Sequence, residues 1–513
     1  MSDITYQLIL AGDLFEQELK PLVRSFFQGE SLEISLTDWD EELEHVRFAD
    51  GKLYYGEIEP FDVENGIIVH TGEKSFSVAF IKAGSVTSFE EGKALTDRKE
   101  YRNTLARAIY RILSKETGKT LPWGILTGVR PTKLVYERLE AGEDEASIRE
   151  GLKKEYLCSD RKTDLSLKVA KREHEILSSL DYENQYSLYI GIPFCPTVCA
   201  YCSFTSFPVK GYEGLVEPYL EALFREIDAA AKLFPGRGIS SVYFGGGTPT
   251  TLSAAQLERL ILKVRDTFDL SKCREFTVEA GRPDSITDDK LKVIKDTGVT
   301  RISINPQSMN DETLKKIGRR HTVKQIEEAF EAARKTGLDN INMDIILGLE
   351  GETIKEVENT LRQIKALGPE SLTVHTLALK RAARLVTEKK NFEGSGLSSV
   401  ADMVELTADF AAENGLLPYY LYRQKNMADN LENVGYSKKG LECLYNILIM
   451  EEVQTILALG AGGSSKFVFP KVDGNTRIER VENVKNVNHY IDRIDEMIGR
   501  KEDFLAKETV FGS

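Results

Sequence analysis

A chain of 513 residues, 41% hydrophobic and 29% charged, has the make-up of a globular protein of two or three domains that needs no disulfide staples. Its net charge of −14 works against nucleic-acid binding. No apolar run reaches the ~18 residues of a spanning helix, and the acidic start MSDITYQLILAGDLFE lacks the basic region of a signal peptide.

These features predict a cytoplasmic protein with neither a nucleic-acid partner nor a membrane span. In such a reducing compartment six cysteines, three of them at 195, 199 and 202, point to metal or catalysis rather than to disulfides. Isolated Cys158, Cys273 and Cys443 read as buried thiols.

In chain order, strand-like runs come first: YQLILAG (6–12), LEISL (32–36), KLYYGEIE (52–59), GIIVH (66–70) and FSVAFIK (76–82). A helix capped near Thr96 or Asp97 follows and ends at Gly118, and Pro131 suits the start of another. Residues 1–165 are therefore expected to form a small α+β N-terminal domain of unknown role.

Strand and helix then alternate regularly over 183–385. The strands are SLYIGI (187–192), SVYFGG (241–246), EFTVEA (275–280), TRISIN (300–305), NINMDIIL (340–347) and SLTVHTLAL (371–379). Amphipathic helices lie between them. Near-continuous apolar strands joined by helices predict an α/β fold with a parallel sheet, an incomplete (β/α)6 TIM-like barrel whose chemistry sits at the C-terminal strand ends. Residues 386–513 read as an appended C-terminal region covering the substrate.

Just after the first barrel strand, LYIGIPFCPTVCAYCSF carries a C-x3-C-x2-C motif in Cys195, Cys199 and Cys202. Three thiolates on one loop can ligate three irons of a cubane and leave the fourth free for another ligand. A structural zinc site wants a fourth Cys or His, and none sits at a usual spacing. Later strand ends supply further polar groups. FGGGTPT (244–250) lets backbone approach a ligand closely, Glu279 and Gln307 end the third and fourth strands, Arg319 could grip a carboxylate, and Asp344 lies in an apolar run. A simple turn, a solvated rim charge and a surface arginine are the plainer readings of the glycines, Glu279 and Arg319.

The cysteine spacing, with Tyr201 before the last cysteine, resembles the signature of the radical S-adenosylmethionine (SAM) superfamily. YIGIPFC is similar to the YIHIPFC of the oxygen-independent coproporphyrinogen III dehydrogenase (oxidase) family and its heme-chaperone relatives. The N-terminal extension, with LPWGILTGVRPTKL, and the later LPYYLYRQKN (417–426) resemble the longer HemZ-type branch. The resemblance implies a [4Fe–4S] cluster on the three cysteines and SAM on its open iron. One-electron cleavage of SAM would give a 5′-deoxyadenosyl radical, with the electron coming from a donor such as flavodoxin or ferredoxin. It implies SAM contacts at Tyr189, Tyr201, Gly246, Gly247, Thr248, Glu279, Gln307, Arg319, Asp344 and Ala378, with Tyr189 and Glu279 as candidate catalytic residues.

The sequence departs from that family in three places. Ser203-Phe204 replaces a further cysteine, Gly191 replaces the motif histidine, and GLE (348–350) replaces GLP. These departures leave the substrate open. The resemblance implies anaerobic heme biosynthesis, in which two propionates of coproporphyrinogen III are oxidatively decarboxylated to give protoporphyrinogen IX. The rivals are a heme-binding chaperone that keeps the cluster, and another radical SAM reaction on a tetrapyrrole. A carboxylated macrocycle needs cations, and Lys380, Arg381, Arg384, Arg423 and Lys425 are the candidates, the last two beside Tyr419, Tyr420 and Tyr422. A solvated basic loop is the plainer reading. His321 and His375 read as structural.

Overall fold

The computed structural model describes all residues except 1–4, 12–14, 28–30, 38–45, 50–51, 56–62, 73, 129, 378–396, 424–430, 473–474 and 512–513. Two units result, Met1–Lys168 with Arg423–Glu432, and Val169–Tyr422 with Asn433–Ser513. Among the described residues no helix is long and apolar enough to cross a membrane.

The first unit holds strands β1 (Thr5–Ala11), β2 (Ser31–Thr37), β3 (Val46–Ala49), β4 (Lys52–Tyr55), β5 (Asn65–Thr71), β6 (Ser75–Lys82) and β7 (Ser85–Lys93). Five of them form a mixed sheet in the order β2-β1-β5-β6-β7, and β3 and β4 pair separately. Ile9, Val63, Ile68, Ala79 and Ile81 form one buried apolar cluster of this unit. The helix Arg98–Thr117 starts where the Asp97 side chain accepts from the Glu100 backbone N–H, and stops at Gly118 with φ 69°. Farther on, Trp123 Nε1 and Lys162 Nζ both donate to the buried carboxylate of Glu432, at 2.7 and 2.8 Å. Arg423, Leu431 and Glu432 are thus buried in this unit.

The second unit is built on one sheet of eleven strands. Its members are β8 (Gln185–Ile192), β11 (Gly238–Gly246), β12 (Glu275–Glu279), β13 (Arg301–Ser303), β14 (Ile341–Leu347), β15 (Ser371–Thr376), β16 (Leu417–Tyr422), β17 (Asn433–Ser437), β18 (Ile456–Leu459), β19 (Ser464–Val472) and β20 (Asn475–Glu482). The short β9 (Phe194–Cys195) and β10 (Phe207–Pro208) pair with each other. Strands β8, β11, β12, β13, β14 and β15 lie side by side in chain order and run parallel. The expected six strand–helix units are therefore present. Antiparallel β17 and β16 continue the sheet past β15, and β18 runs parallel to the other side of β8 before antiparallel β19 and β20. The barrel is left open.

Three crossover helices begin with reciprocal capping boxes, Ser253 with Gln256, Thr322 with Gln325 and Thr353 with Glu356. The boxes at Ser253 and Thr353 lie after β11 and β14, and that at Thr322 follows the short helix Asp311–Lys316. The C-terminal residues differ from expectation. Instead of a separate cover over 386–513, they supply five strands to the central sheet.

Candidate active site

The chain leaves β8 at Ile192 and enters the cysteine loop. Parallel pairing of Phe194–Cys195 with Phe207–Pro208 clamps the loop's two ends together, and the Val209 N–H donates to the Cys195 carbonyl at 2.7 Å. From outside, the Ala200 N–H donates to the Ile317 carbonyl at 3.0 Å. Cys195 and Cys199 are buried and Cys202 is half-buried. Thr248 Oγ1 donates to Cys195 Sγ, and Arg282 Nη1 to Cys199 Sγ, each at 3.5 Å. Burial pushes the Cys195 thiol up to about 11, so metal-free sulfur stays protonated despite these donors.

Among the described residues no three His, Cys, Asp or Glu side chains are gathered tightly enough to hold a metal ion. Three thiolates on one loop can each bind a different iron of a cubane. The backbone beside the sulfurs is shaped for a close neighbour. Gly247 lies where a Cβ would stand 2.6 Å from the Phe194 carbonyl oxygen and 3.0 Å from Cys195 Sγ, and Gly246 has φ 109°. The N–H groups of Gly247 and Thr248 donate to Ile192 and Phe194 at 2.7 Å each, which fixes the GGGT segment along the cysteine loop.

Inside the strand ends Tyr189 stacks on Tyr243 and Tyr445, with ring centroids 6.2 and 6.0 Å away. Tyr243 donates to Glu279 Oε1 at 2.6 Å. Burial pushes the Glu279 carboxyl up to about 7, the Tyr243 hydroxyl opposing and the charge of Asp344 adding to the shift. A Cβ on Gly245 would come within 3.3 Å of that carboxyl, so the glycine is what gives it room.

Gln307 sits in the left-handed region at φ 66°, a strain held by pairing to both sides: its N–H donates to the Asp344 carbonyl, and its carbonyl accepts from Ile346, each at 2.9 Å. Its buried Oε1 has no partner among the described residues, nor does Arg319 Nε. Arg319 Nη1 donates to the carbonyls of Asn305 (2.5 Å) and Gly281 (3.3 Å), and Nη2 to the Tyr201 hydroxyl at 3.3 Å. Asp344 accepts from Asn342 Nδ2 at 2.6 Å and faces His375 Nε2 at 3.7 Å. Burial raises the Asp344 pKa, but His375, Asn342 and Thr373 together outweigh it and hold the carboxyl below the usual range. Unpaired buried donors and acceptors beside a sulfur trio fit a polar cofactor such as SAM.

Ala378, Lys380, Arg381, Arg384 and Lys425 lie outside the described residues. Arg423 is not the surface cation expected. It is 2% exposed and belongs to the first unit, where Nη1 donates to the Leu126 carbonyl at 2.6 Å and the guanidinium lies 5.7 Å from the Trp123 ring centroid. Burial there lowers its pKa to about 10, against the pull of Glu432. Arg282, Tyr243, Asn305 and Tyr445 were missed. Period-two reading of β11 puts Tyr243 on the face of Gly245, and Arg282 follows Glu279 by three residues. Tyr445 carries no local signal.

A family model described as the radical SAM superfamily matches residues 189–364. The chain is 39% identical to the oxygen-independent coproporphyrinogen-III oxidase-like protein HemZ of Bacillus subtilis, over 91% of this chain and 95% of that one. It is 32% identical to the heme chaperone HemW of Lactococcus lactis, over 64% of this chain and 80% of that one. Among solved structures, coproporphyrinogen III oxidase (HemN) from Escherichia coli, described as a radical SAM enzyme, aligns with a TM-score of 0.50 and 24% identity. That match covers 63% of this chain and 73% of the other, and shows a shared fold.

Proposed function

Because the chain belongs to the radical SAM superfamily, in its oxygen-independent coproporphyrinogen-III oxidase-like branch, we propose that it oxidatively decarboxylates a tetrapyrrole, coproporphyrinogen III, toward heme. The superfamily uses a [4Fe–4S] cluster and SAM, and this chain has the residues to hold both. Cys195, Cys199 and Cys202 would bind three irons. Gly246, Gly247, Thr248, Tyr201, Gln307, Arg319, Asp344, Glu279, Tyr189 and Ala378 would surround SAM. When bound, the pair supplies one-electron sulfonium cleavage and hence a radical able to abstract hydrogen.

The observation that carries the reading is the three-thiol loop lying directly against the GGGT backbone, with unpaired Gln307 and Arg319 atoms close by in the same strand-end layer. The chain's own part is placement and exclusion of water. Arg319 is pinned to two backbone carbonyls, so its remaining N–H groups keep a fixed direction. Glu279 keeps a proton to near neutrality and presents a neutral carboxyl beside the stacked tyrosines. Arg381, Arg384 and Lys425 remain proposed partners for substrate carboxylates; buried Arg423 no longer serves.

Each substrate propionate loses CO2, one β-hydrogen and one electron and becomes a vinyl group, the electron passing to an acceptor. Oxygen-sensitive iron–sulfur chemistry suits an anaerobic, cytoplasmic setting, with a flavodoxin- or ferredoxin-type donor. A second reading, heme custody without turnover, is favoured by the likeness to a heme chaperone and by Phe204, 72% exposed, at the position where the dehydrogenase proper carries a further cysteine.

Anaerobic incubation with SAM, a reductant and coproporphyrinogen III tests both. Vinyl products absent from the triple variant Cys195→Ala/Cys199→Ala/Cys202→Ala support the decarboxylase. Stoichiometric heme retention without vinyl products supports custody, and purified chain devoid of iron and sulfide ends both readings.

A further inference from the structure

The loop after β12 carries a buried cation apart from the candidate SAM contacts. Arg282 stands three residues past Glu279 and is 3% exposed. Its backbone is fixed first. The Arg282 carbonyl accepts from the Ser285 N–H at 2.9 Å and from Ser285 Oγ at 2.7 Å, and that hydroxyl lies 2.7 Å from Thr250 Oγ1 in the glycine-rich segment. The side chain is fixed next. Nε and Nη2 donate to the two carboxylate oxygens of Asp284 at 2.9 and 2.8 Å, and His321 Nδ1 lies 3.5 Å from the same carboxylate. A bidentate clamp of this kind sets the plane and the direction of the guanidinium.

The clamp turns the remaining edge of Arg282 toward the cysteine loop. Nη1 donates to the Thr197 carbonyl at 3.2 Å and to Cys199 Sγ at 3.5 Å. Cys195, by contrast, accepts from the neutral hydroxyl of Thr248 at 3.5 Å. Removing a guanidinium from water is costly, and fastening a loop through one carbonyl needs only a neutral donor. Electron uptake is where the charge matters. A cubane on three thiolates gains one more negative charge on reduction, and a cation held against a ligand sulfur stabilises that state more than the oxidised one. Burial keeps water and salt from screening the interaction.

We propose that Arg282 is a positioning residue for the cluster, its guanidinium, clamped by Asp284, acting through Cys199 to raise the reduction potential. The inference rests on the radical SAM reading above. In the step concerned a one-electron donor is oxidised by one equivalent and the cluster is reduced by one, with no bond made or broken.

Anaerobic redox titration of the cluster-loaded chain without SAM or substrate, followed by the EPR signal of the reduced cluster, reads this potential and needs no turnover. Arg282→Gln keeps a donor and removes the charge. It is expected to lower the equilibrium constant for cluster reduction about tenfold, which is about 59 mV for one electron. Arg282→Lys keeps the charge but cannot clamp Asp284 and reach the sulfur with its single nitrogen, so its potential lies between those of Arg282→Gln and the parent. Both differences persist at high ionic strength. Should Arg282→Gln hold no iron and sulfide, Arg282→Lys decides alone, by a potential below that of the parent. Equal potentials in the parent and every variant that holds a cluster, or a difference that high salt abolishes, overturn the role of Arg282 alone. Loss of the cluster from both variants marks Arg282 as a fastening of the loop and overturns that role too. A parent chain that assembles no cluster overturns the radical SAM reading and this inference together.

Discussion

Burial of Glu279 has a consequence for stability as well as for the site. The unfolded chain releases this proton near pH 4.5, whereas the folded chain keeps it until about pH 7. Below that window both states hold the proton and the folded state is not penalised. As pH rises through it, the unfolded state gains, and stability on the order of 3 kcal/mol is lost. The urea midpoint of the cofactor-free chain should therefore fall between those two pH values more steeply than that of Glu279→Gln, which has no proton to release. Parallel profiles for the two proteins would contradict the assignment. Much at this scale was legible in sequence, because Cys195, Cys199, Cys202 and the GGGT stretch announce themselves by spacing. Arg423 was misread because a YLYR run beside a lysine looks like a basic loop, whereas its partner Trp123 lies some three hundred positions upstream, beyond any local pattern.

Between elements, a buried ionic knot ties the chain's last helix to the first crossover helix. Glu226, on Val216–Ala230, accepts from Lys501 Nζ and Asn483 Nδ2 at 2.7 Å, from the Gly460 N–H at 2.8 Å and from Tyr490 at 2.5 Å. Gly460 in turn packs on Gly191, where a Cβ would meet its carbonyl oxygen at 2.5 Å. Both charges are almost fully buried, so removing one strands the other. Glu226→Gln and Lys501→Met should each cost about 3–5 kcal/mol, and the double variant should cost less than their sum. Additive losses in urea unfolding would show that the two side chains act independently. Elements with strong periodicity, such as β8, β11 and β14, match the sequence reading within a few residues. The helix Glu16–Phe26 escaped it because Pro21 sits inside, and Ile456–Leu459 because four apolar residues do not reveal that they pair with a strand read far earlier in the chain.

At the scale of the whole chain, sequence order and architecture part company twice. Arg423, Leu431 and Glu432, between β16 and β17 in the chain, belong to the first unit, where Glu432 answers Lys162 and Trp123. A fragment ending at residue 168 lacks that carboxylate, so it should unfold at lower urea than the same unit within the full chain. Lys162→Met should raise the fragment's midpoint, because it removes a buried ammonium deprived of Glu432. A fragment as stable as the intact unit would argue against this role for Glu432. The second departure is the seat of β18 alongside β8. The strand that leads into the cysteine loop has no permanent neighbour on that side until residues 456–459 have emerged from the ribosome. A chain truncated before residue 456 lacks that neighbour and should take up less iron in anaerobic reconstitution than the full chain.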